Sequence, residues 1–212
     1  MIKKILLIAI AFLLFTDIGA QQIKQTFKGK THMVSEDELL KLNTVGKDFI
    51  ETDPPVGDIR NIAEFERTEG IIVTYHNADN SDYFGIPVDL IAEISENALV
   101  YTLVLNNMYK DQVIDIFESN NVLMANVVFV ISDTDSYWSR DYSPWFIAND
   151  NTVSIVNFPY NRPRPNDNDI PLTFGYQFGL DVYGMNLIST GGNYMTDGMG
   201  VAASCDLVYK EN

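Results

Sequence analysis

The chain has 212 residues, of which 46% are hydrophobic and 12% aromatic, so it is long and apolar enough to bury a core. Its 29 acidic residues against 14 basic ones give a formal net charge of -15, which repels phosphate backbones and excludes nucleic acid as an expected partner. The same charge attracts cationic ligands, although acidity of this kind can also serve only to keep an exported protein soluble.

The first twenty residues have the pattern of a secretory signal peptide. Lys3 and Lys4 precede an apolar run at residues 5–15, and Gly19 and Ala20 supply small residues at a cleavage site. We therefore expect cleavage after Ala20 and a secreted or periplasmic protein. The apolar run is too short to span a bilayer, which takes roughly 20 apolar residues, and no later stretch approaches that length, so no membrane association is expected.

Residues 21–60 are polar and irregular, and they are interpreted as a leader or pro-segment ahead of a folded domain at residues 61–212. One short helix is predicted inside this leader. Ser35 is a favourable N-cap, and Glu38 follows it three residues later, as in a capping box.

The folded domain is predicted to begin with alternating strands and helices. Apolar and β-branched residues predict a strand at 70–75, and apolar residues near a helical period predict a helix at 86–97. The same reasoning predicts a strand at 98–105, a helix at 109–118 and a strand at 127–131. Strands that alternate with helices of this length indicate an α/β fold.

The second half is predicted as a loop with chemical groups followed by shorter elements. Residues 133–146 crowd aromatic and acidic side chains, which is typical of a functional loop and not of a core strand. The later elements are strands at 145–148 and 153–158 with a turn at 149–151, a weak helix at 170–178, and strands at 183–188 and 201–209. The recurring ββαβ order suggests modular sheets arranged around an axis.

Trp138 and Asp141 form a candidate clamp for a guanidinium group. A carboxylate binds a guanidinium through two parallel charge-assisted hydrogen bonds, and a flat cation also stacks on an indole ring. The alternative is that Arg140 and Asp141 form a surface ion pair while Trp138 belongs to the core.

Arg162 and Arg164 are a candidate carboxylate-binding pair. They lie two residues apart in an acidic chain, in a proline-flanked segment where alternate side chains point the same way. Both guanidinium groups could therefore meet one carboxylate. Simple charge pairing with neighbouring acids such as Asp167 and Asp169 explains the same residues equally well.

Two other features are weaker candidates for binding sites. The glycine-rich residues 191–198 resemble a phosphate loop only superficially, because they lack its lysine and its strand-to-helix context, so a turn at the rim of a sheet is expected. Asp133 and Asp135 offer oxygen ligands, but two acids in a loop are weak evidence for a metal ion. We therefore predict no metal site and no cofactor.

The sequence contains no recognisable pair of nucleophile and base. Cys205 is the single cysteine of the chain, so no internal disulfide can form, and its surroundings predict that it packs as a small hydrophobic residue. Neither His32 nor His76 has a sequence context typical of a catalytic base. Thiol catalysis requires both groups close together.

Three segments together resemble the bacterial peptidylarginine deiminases, which are relatives of the agmatine deiminases. They are residues 136–146 (SYWSRDYSPWF), 158–167 (FPYNRPRPND) and 190–200 (TGGNYMTDGMG), and the likeness extends from about Phe65 to the end of the chain. The resemblance implies a five-bladed α/β propeller of the pentein type and hydrolysis of an arginine guanidine group to citrulline and ammonia.

The resemblance also implies roles for the four candidate residues. Asp141 corresponds to the guanidine-binding carboxylate of the catalytic site, and Trp138 to the tryptophan that lines the pocket. Arg162 and Arg164 correspond to the pair that holds the carboxylate of a C-terminal arginine. Peptides or proteins ending in arginine are therefore the expected substrates and partners, in preference to agmatine, which has no carboxylate.

The chain departs from the family pattern in two ways. Ser143 stands where a glycine or alanine is usual before Pro144, a mild change. The histidine-x-aspartate motif and the nucleophilic cysteine of the family lie further downstream, and Cys205 does not match that nucleophile. We therefore expect an incomplete propeller that binds substrate without turnover by itself, unless a second chain supplies the missing blades. The alternatives are a secreted, non-catalytic binder of arginine-ended peptides and an agmatine deiminase.

Overall fold

The computed structural model describes residues 30–78, 81–149 and 152–212. The predicted signal peptide, the beginning of the predicted leader and most of the predicted turn at 149–151 lie outside the described residues. The strands are β1 (Ile59–Asn61), β2 (Gly70–Thr74), β3 (His76–Ala78), β4 (Ser81–Tyr83), β5 (Leu99–Val104), β6 (Val127–Ile131), β7 (Trp145–Asn149), β8 (Thr152–Asn157), β9 (Val182–Gly184), β10 (Tyr194–Thr196) and β11 (Ala202–Ser204). The α-helices are Glu36–Leu39, Val88–Ser95, Asn107–Ser119, Ser139–Tyr142, Pro165–Asn168, Ile170–Phe178 and Asp206–Glu211, and short 3₁₀ helices cover Leu42–Thr44, Met124–Asn126 and Gly191–Asn193.

The centre of the fold is a parallel sheet in the order β2-β5-β6. Alternate residues of a strand point to opposite faces, and β5 buries both of its faces. Val100 and Val104 belong to a core shared with the helices Val88–Ser95 and Asn107–Ser119, whereas Leu103 belongs to a second core on the other face. Parallel strands with helical connections confirm the predicted α/β class.

A second sheet has the order β1-β7-β8-β9, with its last pair parallel and the other two pairs antiparallel. Its strand β8 contributes Ile155 to the second core, where Ile170 and Phe174 of the helix Ile170–Phe178 also pack. Tyr142 and Tyr160 are buried in the same core. This core therefore anchors the two loops that contain the candidate site residues.

Part of the predicted leader is integrated into the fold. The helix Glu36–Leu39 begins at Ser35 with the predicted capping box, because the backbone N–H of Ser35 donates to Glu38 and that of Glu38 donates to the Ser35 hydroxyl. Further along, β1 pairs with β7, so residues 59–61 belong to the second sheet. Residues in this region are thus placed by contacts with the domain that follows them.

Several predicted elements in the second half were wrong. Residues 202–204 form a short strand, but the chain then turns into the helix Asp206–Glu211, in which Asp206 and Lys210 form an ion pair one turn apart. The predicted strand at 183–188 is limited to β9. The predicted loop at 133–146 contains the one-turn helix Ser139–Tyr142, because the buried Tyr142 fixes its end in the core.

The wider architecture remains partly a prediction. The described residues form four separate sheets, including the hairpins β3-β4 and β10-β11, and none of these sheets is closed. A five-bladed arrangement around an axis therefore stays an expectation. Within the described part of the chain, no helix is long and apolar enough to cross a membrane.

Candidate functional site

Asp141 is held in a fixed orientation by two hydroxyl donors. It lies on the helix Ser139–Tyr142, next to the buried Tyr142, and is itself only partly exposed. Its Oδ1 accepts a hydrogen bond from the Thr190 hydroxyl, and its Oδ2 accepts one from the Tyr160 phenol, both at 3.1 Å. Burial, and after it the charge of Asp141, raise the pKa of Tyr160, so this phenol stays protonated as a donor.

Arg140 does not neutralise Asp141. Its guanidinium forms an exposed ion pair with Glu64, so the predicted alternative of an Arg140–Asp141 surface pair is wrong. No ion pair joins Asp141 to a cation in the described part of the chain. The carboxylate therefore keeps its negative charge available to a ligand.

The glycine-rich segment packs against residues 140 and 141 and supports Asp141. A Cβ on Gly191 would come within 2.3 Å of the Arg140 carbonyl oxygen, so only glycine fits against this turn. The Thr190 hydroxyl that donates to Asp141 also accepts from the Gly192 N–H at 3.1 Å, which closes a small capped turn. Sequence reasoning missed Thr190 and Tyr160, since only the fold brings them to residue 141.

Trp138 is half-buried and packs against the second core. Its indole N–H donates to the Lys30 carbonyl oxygen at 3.0 Å. The ring of His32 meets the indole edge-on, with the ring centroids 5.5 Å apart, and the ring of Tyr137 lies 4.6 Å from it on centroids. Residues 30–32 therefore lie directly on the predicted pocket tryptophan.

Arg164 is buried, with 1% of its surface exposed, and it is neutralised by Glu38. Its Nε donates to Glu38 Oε1 at 2.8 Å, while its Nη2 donates to Glu38 Oε2 at 3.3 Å and to the Thr31 carbonyl oxygen at 2.6 Å. Its Nη1 is buried with no hydrogen-bond partner among the described residues. Burial is the largest single influence and would raise the pKa of Glu38, but the hydrogen bonds from Arg164 and the Ser35 N–H, together with the positive charges of Arg164 and Lys30, lower the pKa to about 2.

Arg162 lies close by but is more exposed. Its Nε and Nη2 both donate to the carbonyl oxygen of His32 at 3.2 Å, and its Nη1 donates to the Asn161 carbonyl oxygen at 3.0 Å. The two arginines therefore face the same N-terminal segment, although they do not meet one carboxylate there. The alternative of pairing with Asp167 or Asp169 is wrong, because the ion pair goes to Glu38.

Arg162 and Arg164 also line an open cavity of about 680 Å³, between the 41–52 segment and the loop after β8. Tyr160 lies on its wall and connects it to Asp141 through the phenol. Trp138 and Asp141 are not part of this wall. The structure thus brings Arg162, Arg164 and Tyr160 together, and residues 30–32 contact both Trp138 and the two arginines.

Asp167 connects the loop before Trp138 to the loop that contains Arg162 and Arg164, a role that the sequence did not predict. This fully buried carboxylate accepts from the backbone N–H groups of Asp135 and Ser136 at 2.7 and 3.0 Å, and from the Ser136 hydroxyl at 2.7 Å. In return, Asp135 accepts from the Asn166 N–H at 3.0 Å. Burial raises the pKa of Asp167 to about 7.

The remaining titratable candidates do not converge on this site. Cys205 is exposed at the start of the helix Asp206–Glu211, so the prediction that it packs as a small hydrophobic residue was wrong. His76 is hydrogen-bonded to Thr134 at 2.9 Å, and burial lowers its pKa. No cluster of three or more potential metal ligands occurs among residues 30–78, 81–149 and 152–212.

Comparison with known proteins places this geometry in a family context. A model of the family described as Porphyromonas-type peptidyl-arginine deiminase matches residues 57–209. The fold is similar to an agmatine deiminase of C. jejuni, with a TM-score of 0.58 at 21% identity over 73% of this chain and 48% of that one. An agmatine deiminase of Enterococcus faecalis gives a TM-score of 0.57 at 18% identity over 71% of this chain and 44% of that one. The chain thus spans about half the length of the solved structures that it matches.

Proposed function

Because the chain belongs to the Porphyromonas-type peptidyl-arginine deiminases, we propose that it contributes the arginine-binding part of a catalytic site. That site would hydrolyse the guanidine group of a C-terminal arginine to citrulline and ammonia. Asp141 would bind the guanidinium head and Trp138 would line its pocket. Arg162 and Arg164 would hold the carboxylate at the other end of the residue. The observation that carries this proposal is the unneutralised, doubly oriented carboxylate of Asp141.

The role of Asp141 rests on its fixed geometry. A carboxylate whose oxygens are already oriented by neutral donors has lone pairs left for the two parallel N–H groups of a guanidinium. Because Thr190 and Tyr160 are neutral, they fix the direction of the carboxylate without cancelling its charge. Orientation before binding lowers the entropy that the complex must lose, so it favours affinity.

The hydrolysis itself requires a thiolate that attacks the guanidine carbon, and a group that moves protons to the departing ammonia. Cys205 is exposed just before the last helix, while His32 contacts Trp138 and His76 is hydrogen-bonded to Thr134. We therefore propose that the 212-residue chain binds arginine-ended peptides without releasing citrulline by itself. The nucleophile would then come from outside these 212 residues.

One observation favours a second candidate, a site for agmatine. Because Glu38 already neutralises Arg164, this arginine does not require a carboxylate from the ligand. A ligand without a carboxylate is therefore disfavoured less than the arginine pair by itself would suggest. The formal net charge of -15 also favours the binding of agmatine, which is a dication. A non-catalytic binder of arginine-ended peptides would use the same four residues.

Calorimetric titration of the full chain distinguishes the site for arginine-ended peptides from the site for agmatine. The ligands are acetyl-glycyl-arginine, its C-terminal amide and agmatine, each at moderate ionic strength. We expect the free acid to bind more tightly than the amide, and Asp141→Asn to abolish measurable binding of all three. Glu64→Gln, which removes the exposed partner of Arg140 instead, serves as the control of equal charge change. Tighter binding of agmatine than of the acid would favour the agmatine site, and unchanged binding by Asp141→Asn would refute the proposed head-group site.

A further inference from the structure

A nine-residue N-terminal segment, residues 30–38, covers most of the proposed ligand-binding residues. We call this segment the strap. It contacts Trp138, Arg162 and Arg164 through four of its residues, although these contacts come from more than 100 positions away along the chain. Asp141 is the one proposed ligand-binding residue for which the described structure gives no strap contact. A single short segment therefore occupies hydrogen-bonding groups of Trp138, Arg162 and Arg164.

Glu38 binds Arg164 in the way that a ligand carboxylate would bind it. Its two oxygens receive Nε and Nη2, which is the side-on, two-pronged arrangement of a carboxylate on a guanidinium. A carboxylate that approached end-on would instead use Nη1 and Nη2. Both arrangements require Nη2, which already donates to Glu38 and to the Thr31 carbonyl oxygen. A ligand carboxylate therefore cannot bind Arg164 in either two-pronged mode while the strap is in place.

The strap occupies the other two residues with carbonyl oxygens. The His32 carbonyl accepts two N–H groups of Arg162, and the Lys30 carbonyl accepts the indole N–H of Trp138. The His32 ring also packs against the indole in a T-shaped contact. These acceptors satisfy the donors that a bound peptide would otherwise satisfy, so the strap presents ligand-like chemistry to each residue.

We propose that the strap is an intramolecular competitor, in which Glu38 takes the place of the carboxylate of an arginine-ended peptide and must leave Arg164 before that peptide binds. This regulation rests on the proposed function, because it assumes that Arg162 and Arg164 bind the ligand carboxylate. A competitor of this kind lowers the apparent affinity by the fraction of molecules in which the strap is open.

The strap is suited to open without unfolding of the domain. Its one helix is four residues long, and its largest apolar side chain, Met33, is 64% exposed, as is most of Leu39 at the end of the helix. Glu38 is the one strap residue that is buried. Segments with few buried apolar contacts open at a small fraction of the global unfolding free energy. The strap is therefore held by hydrogen bonds and ion pairs, among which the Glu38–Arg164 contact is buried and the Lys30–Asp135 contact is exposed.

Glu38→Gln in the full chain tests the proposal. Glutamine retains the capping-box acceptor for Ser35 but removes the negative charge from Arg164. Glu36→Gln is the matched control, since Glu36 is exposed on the same helix turn. We expect Glu38→Gln to bind acetyl-glycyl-arginine at least about tenfold more tightly than the wild type, with no gain for its C-terminal amide and none for Glu36→Gln. Equal or weaker binding of the acid by a folded Glu38→Gln chain would overturn the proposal.

A measurement on the wild type decides the question if the variant does not fold. Hydrogen exchange is followed at the Glu38 and Leu39 amides, which donate within the capping turn. Saturating acetyl-glycyl-arginine should speed their exchange, whereas saturating amide should not. If the acid binds and these amides keep or gain protection, the strap does not leave and the proposal fails. If neither compound binds the wild type or any variant, the proposed function fails as well.

Discussion

The carboxylate of Asp141 and the phenol of Tyr160 are joined by a 3.1 Å hydrogen bond. This bond links the segment that contains Trp138 and Asp141 to the wall of the cavity that Arg162 and Arg164 line. Tyr160 is 3% exposed and belongs to the second core, so its hydroxyl has little freedom to move. The packing of this core therefore fixes the orientation of the Asp141 carboxylate through Tyr160. This relationship allows the positioning of Asp141 to be tested without changing Asp141 itself.

Tyr160→Phe should weaken the binding of acetyl-glycyl-arginine by roughly threefold to tenfold, because one hydrogen bond worth about 1 kcal/mol no longer orients the carboxylate. Titration calorimetry measures the change. Tyr142→Phe is the control, because it also removes a buried phenol, one that donates to the Ser136 carbonyl oxygen at 2.7 Å and not to Asp141. If both variants lose affinity equally, Tyr160 contributes only to stability.

The adjacent glycines 191 and 192 should respond differently to alanine. Gly191→Ala places a Cβ 2.3 Å from a backbone carbonyl oxygen, so we expect it to destabilise the fold by more than about 2 kcal/mol and to displace Thr190 from Asp141. Gly192→Ala meets nothing closer than 3.5 Å, which is ordinary contact. Urea unfolding gives the stability of each variant. Equal loss in the two would mean that the turn does not pack closely against residue 140.

The Glu38–Arg164 pair should make stability depend on acid pH. A fall in the pKa of Glu38 from its ordinary 4.5 to about 2 corresponds to a contribution of about 3 kcal/mol. Because the folded pKa is the lower one, this contribution is complete above pH 4.5 and disappears as the pH falls towards 2. Glu38→Gln should therefore be less stable than the wild type at pH 7 and equally stable near pH 2.

Denaturant unfolding from pH 7 to about pH 2 measures this dependence, with Glu36→Gln as the variant that should follow the wild type throughout. A constant difference between Glu38→Gln and the wild type across that range would contradict a charged, buried pair.

Asp167 should have the opposite pH dependence. Its pKa rises from 3.8 to about 7 on folding, so the folded state binds the proton more strongly and this group loses stability as the pH increases between those values. Asp167→Asn keeps an acceptor for the Asp135 and Ser136 N–H groups but cannot ionise. Its unfolding free energy relative to the wild type should therefore increase from pH 4 to pH 7.

Urea unfolding at several pH values tests this expectation, and Asp37→Asn, at an exposed position on the helix Glu36–Leu39, should show no such trend. A relative stability of Asp167→Asn that falls with increasing pH would show that the three donors outweigh the burial of the carboxylate.

Local patterns were sufficient to predict the regular part of the fold. Local apolar periodicity predicted the strands β2, β5 and β6 and the helices between them. The capping box at Ser35 is likewise a local signal of four residues. The end of the chain was predicted less well. The apolar residues near 205 allow a strand or a helix, and the outcome is a helix whose largest side chains stay exposed.

The sequence predicted the kind of candidate site, but not its state. The side chains at 138, 141, 162 and 164 made a guanidinium and a carboxylate the predicted ligands, because charge and hydrogen-bonding capacity are properties of each side chain. Tertiary structure alone decided that Arg140 pairs with Glu64, that Tyr160 and Thr190 orient Asp141, and that Glu38 neutralises Arg164. These partners lie 19 to 126 positions apart in sequence, so no local pattern encodes them and only the packing of the cores brings them together.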